Sequence, residues 1–176
     1  MNSNWEELKL NVANCCKCDG AVEPAIGRGE ESARILFVLD KPEDEKVTQL
    51  LGLLFEACGL DKESYYITSV VKCKSAGIEG TGDSKINVCL DYLRNQFSLI
   101  KPKVVVCLGE IAAWTLFKKN IDFVPQRGEF VRVKNSSTCF IETCHPDEIL
   151  NNSEKSRKMK TSLFEDIIKV KELELR

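Results

Sequence analysis

Residues 33–39 and 103–108 each run through five successive apolar side chains, Ile35-Leu36-Phe37-Val38-Leu39 and Val104-Val105-Val106-Cys107-Leu108. A strand with one face in water alternates polar and apolar residues. A strand apolar on both sides lies inside a parallel sheet covered by helices on both faces. Two further strands are expected at 65–71 and 138–143, and a hairpin-like segment opened by Gly128 at 129–133. Helical spacing of apolar residues marks 5–13, 47–57, 84–100, 110–118 and 155–175. Gly59 supplies a stop for the second of these helices and Lys101-Pro102 for the third. Residues 75–83, with three glycines, read as a loop. Strands alternating with helices imply parallel pairing and right-handed crossovers, hence a three-layer α/β/α fold formed by one domain over 1–176.

Apolar residues make up 43% of the chain and charged residues 30%, with a net charge of −2. That balance gives no global attraction to nucleic acid, so any such contact has to come from a local basic patch. The first residues are polar and then amphipathic, unlike a secretory signal, and no apolar run reaches membrane-spanning length. A cytoplasmic monomer is the expectation.

Nine cysteines are the outlier in the composition. In a reducing compartment they serve metal binding, catalysis or packing rather than disulfides. Cys58 and Cys107 sit in apolar patterns and read as buried spacers, as does Cys139, while Cys144 beside His145 stays open. Cys15-Cys16-Lys17-Cys18 offers C-x2-C just after a helix. Cys73 follows a strand end, and Cys89 lies sixteen residues further on, inside a helix. Strand ends and the helices that follow them share one edge of a parallel sheet, so Cys15, Cys18, Cys73 and Cys89 can converge, with Cys16 as a possible substitute. Four soft thiolates suit zinc or an iron–sulfur cluster. One knuckle plus a widely spaced pair favours the larger cluster.

The order of motifs resembles the iron–sulfur (family 4 type) uracil-DNA glycosylases. The C-x2-C is followed by Gly27-Arg28-Gly29 and the strand Ile35-Leu36-Phe37-Val38. Then come Tyr66-Ile67-Thr68-Ser69-Val70-Val71-Lys72-Cys73 and the helix with Cys89-Leu90-Asp91-Tyr92-Leu93. Pro102-Lys103-Val104-Val105-Val106-Cys107-Leu108-Gly109, Arg127-Gly128 and His145-Pro146 complete the set. The resemblance implies a central four-stranded parallel sheet and a 4Fe–4S cluster on Cys15, Cys18, Cys73 and Cys89, with zinc as the alternative. It also implies hydrolysis of the N-glycosidic bond of uracil or a related damaged base flipped out of DNA.

Asp40 falls at the carboxyl end of the first strand, where open α/β sheets carry their ligands. It is a candidate to position the attacking water, or else a solvated Asp beside Lys41. For His145, the only histidine, the resemblance implies the role of donor to the leaving base. The family's first motif reads G-E-A-P-G and leads into a segment with a stacking phenylalanine. This chain instead reads Leu39-Asp40-Lys41-Pro42-Glu43 and enters helix directly. Lys41 and Pro42 are therefore the substrate contacts implied here. Ser69 stands where the family carries an asparagine that reads the uracil edge, although a hydroxyl lacks an amide's paired donor and acceptor. DNA contacts are expected from Arg127, Pro146 and the basic cluster Lys155, Arg157 and Lys158, with Lys160 close by. A non-catalytic 4Fe–4S relative that keeps only the scaffold and binds DNA or a partner is the alternative reading.

Overall fold

A computed structural model of the chain describes residues 4–18, 22–74, 80, 84–118, 121, 125–133, 136–150 and 153–175. The elements in chain order are α1 (Trp5–Ala13), β1 (Arg28–Gly29), β2 (Ile35–Leu39), α2 (Glu45–Ala57), β3 (Tyr65–Ser69), α3 (Ser84–Ile100), β4 (Val104–Leu108), α4 (Glu110–Leu116), β5 (Phe130–Arg132), β6 (Cys139–Thr143) and α5 (Glu154–Glu174). A short 3-10 turn, Pro146–Glu148, follows β6. The glycine-containing loop expected at 75–83 lies outside the described residues apart from Gly80.

The described strands form one sheet in the order β1-β3-β2-β4-β6-β5. Its centre is the expected set of four parallel strands, β3-β2-β4-β6. Two short antiparallel strands, β1 on β3 and β5 on β6, close the edges. Every residue of the four central strands is buried. Strand bounds are shorter than the apolar pattern suggests, because the chain leaves the ladder wherever a neighbouring strand ends. Val70 and Val71, for example, already turn to bond Leu39 O and Asp40 O.

Alternate residues of β2 divide between two cores. Ile35, Phe37 and Leu39 pack with α2 and α5, through Leu51, Phe55, Leu163 and Ile167 among others. Leu36 and Val38 pack with α3 and α4, through Leu93, Ala112 and Ala113. This is the three-layer sandwich: helices on both faces, strands with no wet side. Cys58 belongs to the first core and Cys107 to the second, and Cys139 is buried as well.

The connections place β3 on one side of β2 and β4 on the other. In such a sheet the crevice at the strands' carboxyl ends, where the chain order reverses, is the usual ligand site. Register aligns those ends: Leu39 lies opposite Ser69, and Leu108 opposite Thr143. Asp40, Gly109 and His145 therefore leave the sheet along one edge.

Candidate functional site

Two groups of side chains mark this edge. The first is a pair formed across the end of β4. His145 Nε2 stands 2.9 Å from Asp40 Oδ1, although the residues are 105 apart in sequence. The bridge is possible because Gly109 separates them: a Cβ there would come within 3.1 Å of the His145 ring, and the backbone holds φ at +99°. Glycine meets both demands without strain.

Both partners are fixed in turn. Asp40 Oδ1 also accepts the Lys41 amide N–H at 2.8 Å. His145 caps the 3-10 turn: its Nδ1 accepts from the Asp147 N–H at 3.2 Å, and its own N–H donates to Glu148 Oε1 at 3.1 Å. An accepting Nδ1 puts the ring proton on Nε2, facing Asp40. A second proton, on Nδ1, would be met by the Asp147 carboxylate 3.6 Å away.

Burial opposes charge on both residues, but their mutual attraction prevails. Desolvation pushes the Asp40 carboxyl up, and the hydrogen bond and charge of His145 hold it below its ordinary value. Desolvation likewise lowers His145, and the Asp40 carboxylate carries it above the ordinary imidazole value.

Beside this pair, and separated from it by the turn at Asp40-Lys41-Pro42, is a cavity of about 220 Å³ lined by Leu39, Pro42, Ser69, Thr48 and the Arg28–Glu43 pair, among others. It is smaller than the roughly 300–1,000 Å³ of ligand pockets in general. Arg28 grips Glu43 at its wall through two bonds of 2.8 and 2.9 Å. Gly27, another cavity residue, has φ +120° and touches the backbone at Ile67 so closely that a side chain would not fit. Ser69 is buried and its hydroxyl donates to Val71 O at 2.6 Å, so its one proton is committed to the backbone. Pro42 lines the cavity, and Lys41 is exposed beside it.

Of the expected DNA contacts, Pro146 is buried in the turn. Arg127 reaches Glu148 at 3.4 Å and Glu142 at 3.9 Å, so its guanidinium is engaged with two carboxylates. The start of α5 abuts the His145 turn through Ser156 Oγ, which donates to Glu148 O at 3.1 Å. Lys155, Arg157, Lys158 and Lys160 are exposed there. Lys158 pairs with Glu154 at 3.0 Å, while Arg157 and Lys160 line a groove against α2.

The second group is cysteine. Leu8 and Val12 of α1 pack on Tyr92 of α3, and Cys15 joins that cluster, so the helix before the knuckle delivers it towards Cys89. Beyond Cys18 the chain is clamped to Cys73: Pro24 bridges Cys73, and the Ala25 N–H donates to Lys72 O at 2.6 Å. Burial pushes the thiols of Cys73 and Cys89 up, and the charges of Cys15 and Cys18 push both further. The four sulfurs thus share one electrostatic neighbourhood. Among the described residues, no three His, Cys, Asp or Glu side chains close to the spacing of a single metal ion.

Sequence reasoning missed three features. Gly109 stood only as the end of a motif, and its place one residue past a buried strand was the available signal. Glu148 as a cap three residues after His145 fits a capping-box spacing. The hydrogen-bond web around Lys72, with Gln96 on α3, left no signal in the sequence. No helix among the described residues is long and apolar enough to cross a membrane.

The sequence is similar to known proteins over most of its length. Residues 26–168 match the sequence model of the Uracil DNA glycosylase superfamily. The type-4 uracil-DNA glycosylase of Sulfurisphaera tokodaii is 28% identical over 188 residues, covering 96% of this chain and 84% of that protein. That of Archaeoglobus fulgidus is 33% identical over 125 residues, 64% of this chain and 63% of the relative. That of Saccharolobus solfataricus is 29% identical over 192 residues, 96% and 86% respectively. With the family match spanning both the Asp40–His145 edge and two of the four cysteines, the chain belongs to the uracil DNA glycosylase superfamily.

Proposed function

We propose that this protein is a DNA base-excision enzyme that hydrolyses the N-glycosidic bond of uracil or a related damaged base. The observation that carries the reading is the Asp40–His145 pair at the switch point of the sheet. A base flipped into this edge would displace one partner from the other. The second oxygen of Asp40 would then orient a water towards C1′ of the sugar. Water oxygen bonds to C1′ as the bond from C1′ to the base nitrogen breaks. The water proton passes to Asp40, and the base leaves as an anion whose oxygen takes the hydrogen bond from His145 Nε2–H. The Asp147 N–H bonded to Nδ1 keeps the ring proton on Nε2, facing the base. Lys41 and Pro42 border the cavity side of this turn and contact the substrate. The phosphate backbone is met by the basic start of α5, at Lys155, Arg157 and Lys158, next to Pro146. Arg127 serves the same edge by holding Glu148.

Cys15, Cys18, Cys73 and Cys89 are proposed as ligands of a 4Fe–4S cluster. Their chemistry fits: four soft sulfurs, two of them driven towards the neutral thiol by burial and then by the other cysteines' charge, need a positive centre to become thiolates together. A zinc ion, with Zn–S bonds of about 2.3 Å, would draw the sulfurs into one tight shell. One C-x2-C knuckle with a second, widely spaced pair suits the wider cage of a cluster. When bound, the cluster supplies structural cross-linking of α1, β3 and α3.

The test is incubation of iron-replete protein with a uracil-containing oligonucleotide, followed by alkali. Strand scission at the uracil that disappears in His145→Ala supports the reading. Absence of scission across uracil and other damaged bases, with DNA binding retained, would instead favour a non-catalytic relative.

A further inference from the structure

A buried cation stands beside the cysteines. Lys72 is only 1% exposed. Its Nζ donates to Thr68 Oγ1 at 2.8 Å, to Ser69 O at 2.6 Å and to Gln96 Oε1 at 2.6 Å. Three acceptors for three protons is the geometry of the charged ammonium, since a neutral amine has only two N–H groups. The acceptors are themselves held: Gln96 Nε2 donates to Ile26 O at 2.7 Å, and Thr68 Oγ1 also meets Ile26 O at 3.0 Å. None of these partners is an anion, and no salt bridge joins Lys72 to a carboxylate among the described residues. A buried charge without a counter-charge is strongly unfavourable.

The negative groups within its reach are the cysteines. Lys72 immediately precedes Cys73 and its backbone N–H bonds the Cys89 sulfur; burial lowers its ammonium, and the charge of Cys89 opposes that lowering. Gln96 lies two turns along α3 from Cys89.

We infer that Lys72 is the counter-charge of the metal centre, its buried ammonium offsetting the negative charge of the thiolates and of the cluster they hold. The inference rests on the reading of the four cysteines as 4Fe–4S ligands. A cluster that accepts an electron becomes more negative, and a fixed cation in a low-dielectric surround stabilises that state. Lys72 therefore raises the reduction potential of the cluster, and it does so by charge as well as by holding β3 to α3.

The experiment is a mediator-poised redox titration of anaerobically purified holoprotein, with iron and sulfide content measured on the same samples. Lys72→Met keeps most of the stem and removes the charge. Gln96→Glu keeps the lysine and gives it a carboxylate. Both variants are expected to shift the cluster potential to more negative values than wild type. Should Lys72→Met fail to fold or load, the sign of the shift in Gln96→Glu decides. Loaded variants whose potential equals wild type, or moves positive, overturn the inference while leaving the cluster reading intact. Wild-type protein that carries zinc or no iron and sulfide overturns the cluster reading, and the role of Lys72 with it.

Discussion

The cysteine region and the Asp40–His145 region share one edge of the sheet but are built in opposite ways. The cysteines come from a knuckle after α1, a strand end and the middle of α3, and buried apolar packing brings these elements together. Asp40 and His145 come from the two strands flanking β4 and meet by direct contact over Gly109. One region is held by its surroundings. The other is held by the direct contact of its own two members. The scaffold and the proposed chemistry can therefore fail separately.

The largest expected effect tests that separation. Cys89→Ser should abolish cluster incorporation, seen as lost visible absorbance, and collapse cooperative thermal unfolding, because metal-binding energy is folding energy in such sites. His145→Ala should instead leave the absorbance and melting transition near wild type while lowering single-turnover base release about 10²–10³-fold, the scale of removing one preorganised donor. If both substitutions destroy the fold equally, the two regions are not independent.

Gly109→Ala sharpens the comparison at the contact itself. The positive φ and the clash with the imidazole should cost about 1–3 kcal/mol in stability. Base release should fall while the cluster absorbance stays. The measurements are denaturant unfolding alongside excision kinetics.

The pH dependence follows from the same pair. Asp40 is lowered and His145 raised, so the ion pair persists between those two values. The stability due to His145 is full below its ordinary value and is lost as pH rises through its raised one. That due to Asp40 is full above its ordinary value and is lost as pH falls through its lowered one. A wild-type pH–stability curve should thus show a plateau that falls at both ends, and Asp40→Asn, which removes both contributions, should lower the plateau and flatten those falls. An unchanged curve would deny the coupling.

The smallest effect is expected at the exposed basic cluster. Lys155→Ala should weaken DNA binding about equally for all sequences and reduce the slope of log affinity against log salt by about 1. Salt-dependent binding assays read this directly.

Much of this was legible before the fold was known, for physical reasons. The runs at Ile35–Leu39 and Val104–Leu108 admit few environments, and both are central parallel strands. Asp40 and His145 could be placed at strand ends because period and length mark where strands stop. Their contact could not be read, since it depends on register across β2, β4 and β6 and on the missing Cβ of Gly109. Edge strands β1 and β5 have only two and three residues, too short for a period to register, although the hairpin-like segment at 129–133 was expected where β5 lies. Ser69 illustrates a second limit: its position was legible, but the bond to Val71 O that occupies its hydroxyl belongs to the local turn. Arg127 is similar, because only the folded chain brings Glu142 and Glu148 to it.

The central claim is that the Asp40–His145 pair performs base excision. Its most direct test is single-turnover release of free base from a uracil-containing strand by iron-replete wild type, Asp40→Asn and His145→Ala, each with its cluster content verified. The account predicts base release by wild type and a loss of at least about 10²-fold in each variant. Equal release by wild type and both variants, or none from any base by fully loaded wild type, would contradict it.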